Sequence, residues 1–128
     1  MGFREFVTSS GAQIILGKNA ESNDELMKKF EGEKNIILHT VAPGSPFCVI
    51  KEPIIPSMGD ITASGAICAR YSQDWRDNKK DIRISIFTGK DIKKEKGMEV
   101  GTWAVKKCKT KIIKKKEIEA VNKTIKSE

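Results

Sequence analysis

The segment 82–87 alternates between isoleucine and other residues, with Ile82, Ile84 and Ile86 at every second position. A period of two is typical of a β-strand, because successive side chains of a strand point to opposite faces of the sheet. Three branched apolar side chains on one face require that face to be buried. The pattern therefore predicts a sheet with at least one firmly buried side, around which the other elements have to be arranged.

Short runs separated by turns account for most of the other apolar residues. The predicted strands span Phe3 to Thr8, Gln13 to Leu16, Asn35 to Val41, Phe47 to Ile50, Thr102 to Lys106 and Thr110 to Ile113. We expect the first two to form a hairpin through Ser9-Ser10-Gly11 and the last two to form another through a basic turn. The segment from Gly89 to Gly101 is predicted to be a loop rich in lysine and glycine.

Two short amphipathic helices are predicted near the two ends of the chain. Ser22 with Glu25 three residues later is a capping-box pattern, and the helix that follows should end at Gly32. The segment from Glu117 to Lys126 carries apolar residues at helical spacing, which predicts a terminal amphipathic helix.

A longer helix is predicted between them, capped by Ser57 or Asp60 and running to about Trp75. Small side chains crowd this segment: Ala63, Gly65, Ala66 and Ala69. A helix with small side chains can lie close against a sheet, so we expect it to be the central packing helix. Gly65 lowers the helix propensity by up to about 1 kcal/mol, which close packing would explain.

These elements predict one α+β domain over residues 1–128, with a mixed, mostly antiparallel sheet, a short N-terminal helix, a long packing helix and a C-terminal helix. A chain of 128 residues can bury a core of its own. No apolar run has membrane-spanning length and the N-terminus lacks the apolar core of a signal peptide, so we expect a cytoplasmic protein. Cys48 and Cys68 are expected to be buried structural residues. With one histidine and no metal-ligand spacing, no metal site or cofactor is predicted.

The net positive charge of the chain comes entirely from its last third. Residues 1–89 carry eleven basic and eleven acidic side chains, whereas residues 90–128 carry thirteen lysines and six acids, which gives the net charge of +7. Clustered lysines release condensed counterions when they meet a phosphate backbone, so a polyanion is the expected partner. The alternative is a solvated face that keeps the protein soluble.

A second polar cluster lies where the first hairpin meets the first helix. Lys18, Asn19 and Asn23 gather near a helix N-terminus, where free N–H groups and the helix dipole favour an anion. The alternative is a well-capped loop in which the two asparagines bond to backbone groups.

The order of several motifs resembles the RNA-binding domain of the NFACT proteins. Those domains begin with a Ser-Ser-Gly turn, an Ile-Leu-Val-Gly-Arg-Asn strand end and an Asn-Asp-x-Leu helix start, to which Ser9-Ser10-Gly11, Ile14-Ile15-Leu16-Gly17-Lys18-Asn19 and Asn23-Asp24-Glu25-Leu26 are similar. The segment Asn35-Ile36-Ile37-Leu38-His39 resembles the family's Asp-Ile-Trp-Leu-His strand, and Pro43-Gly44-Ser45 the turn after it.

The resemblance extends to about Lys111. Tyr71-Ser72-x-x-Trp75 is similar to the end of the family's long helix, and Lys94-x-Lys96-Gly97 to its Lys-Pro-x-Gly loop. The chain departs from the family pattern at four positions: Lys18 replaces Arg, Asn35 replaces Asp, Ile37 replaces Trp, and Pro46 stands where a second His is common.

This resemblance implies RNA binding in translation. Full-length relatives bind tRNA on split large ribosomal subunits and help to extend stalled nascent chains. Their N-terminal domain and coiled coil have no counterpart in this sequence, so the resemblance implies a standalone binding module.

No catalytic set is recognised in the sequence. His39 is the only histidine, and a hydrogen-bonded structural role is favoured over that of a general base. There is neither a nucleophile elbow nor a Walker loop. Trp103, beside Lys106 and Lys107, either fills the core or stacks on a base.

The functional prediction is a non-enzymatic RNA-binding domain whose target is tRNA or ribosomal RNA, with the large ribosomal subunit as a further partner. The expected phosphate contacts are Lys93, Lys94, Lys96, Lys106, Lys107, Lys109 and Lys111, and the expected polar pocket consists of Lys18, Asn19, Asn23, His39 and Ser45. We expect both groups to lie side by side on one surface. Three rivals stay open: a DNA-binding module, a small nucleic-acid-processing enzyme that uses His39, and a protein-binding adaptor.

Overall fold

The structure is a computed structural model that describes residues 2–121 and the backbone of residues 125–127. Its strands are β1 (Phe3–Thr8), β2 (Gln13–Gly17), β3 (Ile36–Thr40), β4 (Cys48–Glu52), β5 (Ile82–Thr88), β6 (Ile92–Lys93), β7 (Ala104–Val105), β8 (Lys109–Ile113) and β9 (Ile125–Ser127). Its helices are α1 (Ala20–Phe30), α2 (Met58–Arg70), α3 (Gln73–Asn78) and α4 (Lys115–Glu119).

One main sheet organises the fold, with the strand order β8-β5-β3-β4-β2-β1-β9. The strands β6 and β7 pair separately as a small two-stranded sheet. Every strand pairing among the described residues is antiparallel. The predicted α+β class with a mostly antiparallel sheet is confirmed.

Each face of the main sheet has its own core, because side chains of a strand alternate between faces. One core lies under α2 and α4 and contains Leu16, Leu38 and Ile84. The other lies under α1 and contains Ile15, Ile37 and Phe87. The central strands of the sheet are therefore buried on both faces, which explains why β2, β3 and β4 contain continuous apolar runs.

The helix α2 is the central packing helix, as its small side chains predict. Ser57 caps its N-terminus by accepting a hydrogen bond from the Asp60 N–H at 3.0 Å. A Cβ added to Gly65 would come within 2.8 Å of Ile113 Cδ1. The glycine thus permits a close approach between the helix and the sheet, which accounts for its presence in a helix interior.

The predicted start of the first helix and the predicted end of the second were wrong. The N-cap of α1 is Asn19 and not Ser22, because the Asn19 side chain accepts from the Ser22 N–H while the Ser22 hydroxyl accepts from the Asn19 N–H. The long helix does not reach Trp75 unbroken. Ser72 caps a separate α3 by accepting from the Trp75 N–H at 3.1 Å, and the Gln73 N–H donates to the Gly44 carbonyl at 2.8 Å.

The last third of the chain also departs from prediction. β7 and β8 do not form a hairpin, since β7 pairs with β6 and β8 pairs with β5. The terminal helix ends well before Lys126, because residues 125–127 lie as a strand beside β1. Ile118 and Val121 are buried, as their spacing predicts, whereas the side chain of Ile125 lies outside the described residues.

Cys48 and Cys68 are fully buried and unpaired, which confirms their structural role. Burial raises the pKa of the Cys68 thiol to about 12, so the group stays protonated. None of the helices in the described part of the chain has both the length and the apolar character needed to cross a membrane.

We predict that Gly89→Ala destabilises the fold. A Cβ at this position would lie 1.9 Å from the Phe30 carbonyl oxygen and 2.7 Å from that of Glu33, both of which are backbone atoms. Relieving this clash requires α1 to move, so the free energy of unfolding should fall by about 1–3 kcal/mol or more in urea denaturation.

The matched control is Gly59→Ala in the first turn of α2, where the nearest atom to an added Cβ is Ser57 Oγ at 3.7 Å. Alanine favours helix by roughly 0.5–1 kcal/mol over glycine, so this variant should be at least as stable as the parent chain. Equal stability of the two variants would contradict the packing described for Gly89.

Candidate functional site

A cleft of about 680 Å³ opens at one end of the main sheet, between the layer that contains α1 and the layer that contains α2. Its walls come from the end of β2, the start of α1, the turn between β3 and β4, the turn between α2 and α3, and residues 100–103. The structure brings the five residues of the predicted polar pocket together in its lining: Lys18, Asn19, Asn23, His39 and Ser45.

The two asparagines of the cleft are held by their side-chain oxygens. Asn19 Oδ1 accepts from the Ser22 N–H at 2.8 Å, and Asn23 Oδ1 accepts from the Phe47 N–H at 3.1 Å. Neither amide nitrogen donates to another described residue. The capped-loop interpretation is therefore correct for the oxygens, while both NH₂ groups remain available to a ligand.

Gly17 lets the strand approach α1 at this point. A Cβ on Gly17 would lie 2.1 Å from Asn23 Oδ1 and 2.9 Å from the Asn23 backbone nitrogen. Any larger residue would push the helix away from β2, so the glycine sets the position of Asn23 in the cleft wall.

His39 is partly buried in the described structure. Its Nδ1 lies 2.8 Å from the Thr40 carbonyl oxygen, and its ring packs on Phe47 with 4.6 Å between centroids. A carbonyl only accepts, so Nδ1 carries the proton and Nε2 is an acceptor in the neutral ring. Burial lowers the pKa of His39, and the carbonyls of Thr40 and Ser45 oppose this in part. Ser45 itself accepts from the Thr40 N–H at 3.0 Å.

Two arginines line the same cleft. The guanidinium of Arg4 lies over the Tyr71 ring, 4.5 Å from its centroid. Arg76 is exposed and pairs with Asp77, with 3.0 Å between Nε and Oδ1. Arg76 also lines a neighbouring depression together with Arg70 and Lys79.

These basic residues extend the cleft into a strip of positive charge. They do not stand out in the sequence, because residues 1–89 are neutral in sum. Two acids lie among them, since Asp77 pairs with Arg76 and Glu119 lines the same depression as Arg70. One sequence motif pointed to this strip: Tyr71-Ser72-x-x-Trp75 contains Tyr71 and is followed directly by Arg76.

Asp24 fixes the loop that forms one wall of the cleft. Its Oδ1 accepts from Lys94 Nζ at 2.9 Å, from the Gly101 N–H at 3.0 Å and from Trp103 Nε1 at 2.9 Å. Burial raises the pKa of Asp24, but these three donors outweigh it and hold the pKa well below its ordinary value. Asp24 therefore remains ionised and ties residues 94–103 to α1.

Lys94 has an internal role in this arrangement. Besides Asp24, its ammonium group donates to the carbonyls of Glu99 and Thr102. All three of its donors are thus engaged, although the sequence assigned Lys94 to a phosphate. Trp103 is buried in the core under α1, in agreement with the first of the two interpretations given for it.

The other six lysines do not form one surface beside the cleft. Lys93 and Lys96 are exposed on the segment that leads to the cleft wall, and Lys106 is exposed just after β7. Three others line a different groove, near Met58 at the start of α2: Lys107, Lys109 and Lys111.

This second groove shares no lining residue with the cleft. Tyr71 follows the last residue of α2 and lines the cleft, whereas Met58 is the first residue of α2 and lines the groove. Thirteen helical residues separate the two ends by about 20 Å. Because β8 pairs with β5 instead of β7, Lys109 and Lys111 line this groove and not the cleft, so the lysines expected on one surface are divided between different parts of the molecule.

Within the described residues, no group of three or more potential ligands could hold a metal ion. The arrangement offers positive charge, hydrogen-bond donors and one neutral imidazole. Such a set suits recognition of an anion that also carries polar rings or sugars.

We predict that Asp24→Asn lowers the free energy of unfolding by about 1–3 kcal/mol at neutral pH, because three donors lose a charged acceptor. A carboxyl whose pKa is lowered by folding contributes stability above its unfolded pKa, near about 4 for aspartate. The stability difference between parent and variant should therefore shrink as the pH falls below that value.

Urea denaturation at several pH values measures this difference. The exposed Asp77→Asn is the matched control and should leave stability nearly unchanged at every pH. A difference between parent and Asp24→Asn that is independent of pH would contradict the role given to the Asp24 charge.

Comparison with known proteins agrees with this architecture. The C-terminal part of the fibronectin/fibrinogen-binding protein from Streptococcus suis is similar in structure, with a TM-score of 0.82, 20% sequence identity, and coverage of 94% of this chain and 49% of that one. At this identity the likeness shows the fold alone, and this chain spans about half the length of that structure. No curated protein sequence matches this chain significantly. The family model described as the NFACT protein RNA binding domain matches residues 2–107, and the chain therefore belongs to that family.

Proposed function

We propose that this chain is a non-catalytic module that binds tRNA or ribosomal RNA at the cleft and its basic strip. The proposed setting is translation or ribosome-associated quality control in the cytoplasm, with the large ribosomal subunit as a partner. Membership of an RNA-binding domain family supports RNA as the polymer. The observation that carries the location is the convergence of Lys18, Arg4 and Arg76 on one cleft with the two free asparagine amides.

The charges of this surface suit a phosphate backbone. Lys18 and Arg70 are exposed and make no ion pair with a described carboxylate, so their charges are available to a ligand. Lysine and arginine contacts of this kind supply most of the affinity for nucleic acid and little of the sequence specificity. The target would then be chosen by shape and by partners more than by a base sequence.

The role of the second group of lysines stays a prediction. The two alternatives for Lys107, Lys109 and Lys111 are an extension of the RNA path beyond the cleft and a contact with another partner at the groove beside Met58. A pair of double variants distinguishes RNA binding at the cleft from RNA binding at this groove.

We predict that Lys18→Ala combined with Arg70→Ala weakens tRNA binding at low salt and flattens its salt dependence. The slope of log affinity against log salt should fall by about one for each phosphate that the variant no longer neutralises. Filter binding across a salt series measures both quantities, and thermal denaturation confirms that the variant is folded.

The matched control is Lys109→Ala combined with Lys111→Ala, which removes the same number of charges from the other groove. This control should retain the parent slope. A larger loss in the control than in the Lys18/Arg70 variant would contradict the placement of RNA at the cleft and its basic strip. A failure of the parent chain to bind tRNA at low salt would contradict RNA binding itself. Competition by DNA of matched length tests the rival DNA-binding function, because basic side chains alone barely distinguish the two polymers.

The enzymatic rival has a separate test. The hydrogen bond that His39 makes in the described structure is to a backbone carbonyl, and no described carboxylate orients its ring. A general base usually needs such a partner. Turnover of an RNA substrate that is lost in His39→Ala would establish the enzymatic function and overturn the non-catalytic one.

A further inference from the structure

We propose that the cleft takes an unpaired nucleotide of the bound RNA, whose base stacks on the Arg4–Tyr71 pair. This inference rests on the proposed RNA-binding function and specifies which form of RNA occupies the site. It assigns base stacking to Arg4 and Tyr71 and not to Trp103, for which the sequence analysis considered that role.

The shape of the site favours a single strand. The cleft is concave and its volume of about 680 Å³ is large enough for a nucleotide. An RNA duplex presents ridges of phosphate with its bases stacked inside, so it can lie across such a cleft but cannot enter it. Unpaired bases can be splayed out and inserted between side chains.

The Arg4–Tyr71 pair supplies a flat surface of the right chemistry. Arg4 lies over the Tyr71 ring at 4.5 Å, and the Phe6 ring lies 5.9 Å from the same ring on a tilted plane. Arg4 makes no ion pair with a described carboxylate, so its charge is not neutralised locally. Nucleic-acid bases stack on aromatic rings and on guanidinium planes, and a guanidinium held over a ring is already oriented.

The exposure of the aromatic residues supports the same assignment. Tyr71 is 38% exposed, whereas Trp75 and Trp103 are 4% and 7% exposed and fill the cores. Among the aromatic side chains that line the cleft, Tyr71 is therefore the one with a substantial accessible area.

Polar groups of the cleft complete a nucleotide site. The free amide groups of Asn19 and Asn23 can donate to base carbonyls or phosphate oxygens, and His39 Nε2 can accept from a base N–H or a ribose 2′-hydroxyl. A ribose contact of this kind is what allows a protein to distinguish RNA from DNA.

Two variants test the stacking surface, so that the test does not depend on the correct folding of one variant alone. Arg4→Lys keeps the charge and removes the guanidinium plane, and Tyr71→Leu removes the ring while it keeps an apolar side chain over Phe6. Each should weaken binding of a single-stranded oligoadenylate by about tenfold, because base stacking on one side chain contributes roughly 1–3 kcal/mol. Arg4→Lys should keep the parent salt slope, since the number of charges is unchanged. Tyr71→Phe keeps the ring and should bind like the parent chain.

A direct signal accompanies the affinities. Tyr71 is the only tyrosine, so selective tyrosine labelling gives one set of ring resonances in NMR spectra. These should shift upfield when oligoadenylate binds and stay in place when a blunt RNA duplex of equal length binds.

The outcomes separate this inference from the function on which it rests. Parent-like oligoadenylate binding by both Arg4→Lys and Tyr71→Leu, or tighter binding of the duplex than of the single strand, would overturn the unpaired-nucleotide site and leave RNA binding intact. Failure of the parent chain to bind either RNA at low salt would overturn both.

Discussion

The ionised carboxylate of Asp24 is the group on which the functional end of this molecule depends. Residues 94–103 contain little regular structure of their own, yet three of them donate to the same oxygen of Asp24. This arrangement fixes the loop against the start of α1 and creates a wall for the cleft. It also explains why Lys94, in the most basic part of the chain, is directed inward.

The sheet places the cleft at an end where several elements terminate together. Gly17 ends β2, the β3–β4 turn lies beside it, and Ser72 breaks the helical segment between α2 and α3. The ends of these elements and their turns supply unpaired backbone groups and short polar side chains, whereas the central strands are buried on both faces. The binding surface is thus built from the few places where this fold exposes polar groups on a rigid frame.

The sequence predicted the fold class and the polar pocket because both depend on local patterns. Five strands of the main sheet follow from apolar runs between turns, and Lys18, Asn19 and Asn23 are neighbours along the chain. Errors arose where two local patterns competed. Ser22 fits both as an N-cap followed by Glu25 and as the third residue after an Asn19 cap, and the hydrogen bonds of its hydroxyl with the Lys18 and Asn19 N–H groups decide between them. The break before α3 likewise depends on the distant Gly44 carbonyl.

The arrangement of the lysines could not be predicted, because it depends on which strands pair. Lys109 and Lys111 line the groove beside Met58 because β8 pairs with β5, and the spacing of these lysines in the sequence does not indicate which strand β8 pairs with. The basic strip beside the cleft was hidden for a similar reason, since Arg4, Arg70 and Arg76 come from a segment whose net charge is zero.

The central claim is that RNA occupies the cleft, and mapping amide chemical shifts during titration with tRNA tests it most directly. We expect the largest shifts to fall on residues around the cleft, such as Lys18, Asn23 and Gly101, and amides near Met58 and Lys109 to change little. Shifts concentrated around Met58 and Lys109, with the cleft unchanged, would contradict it.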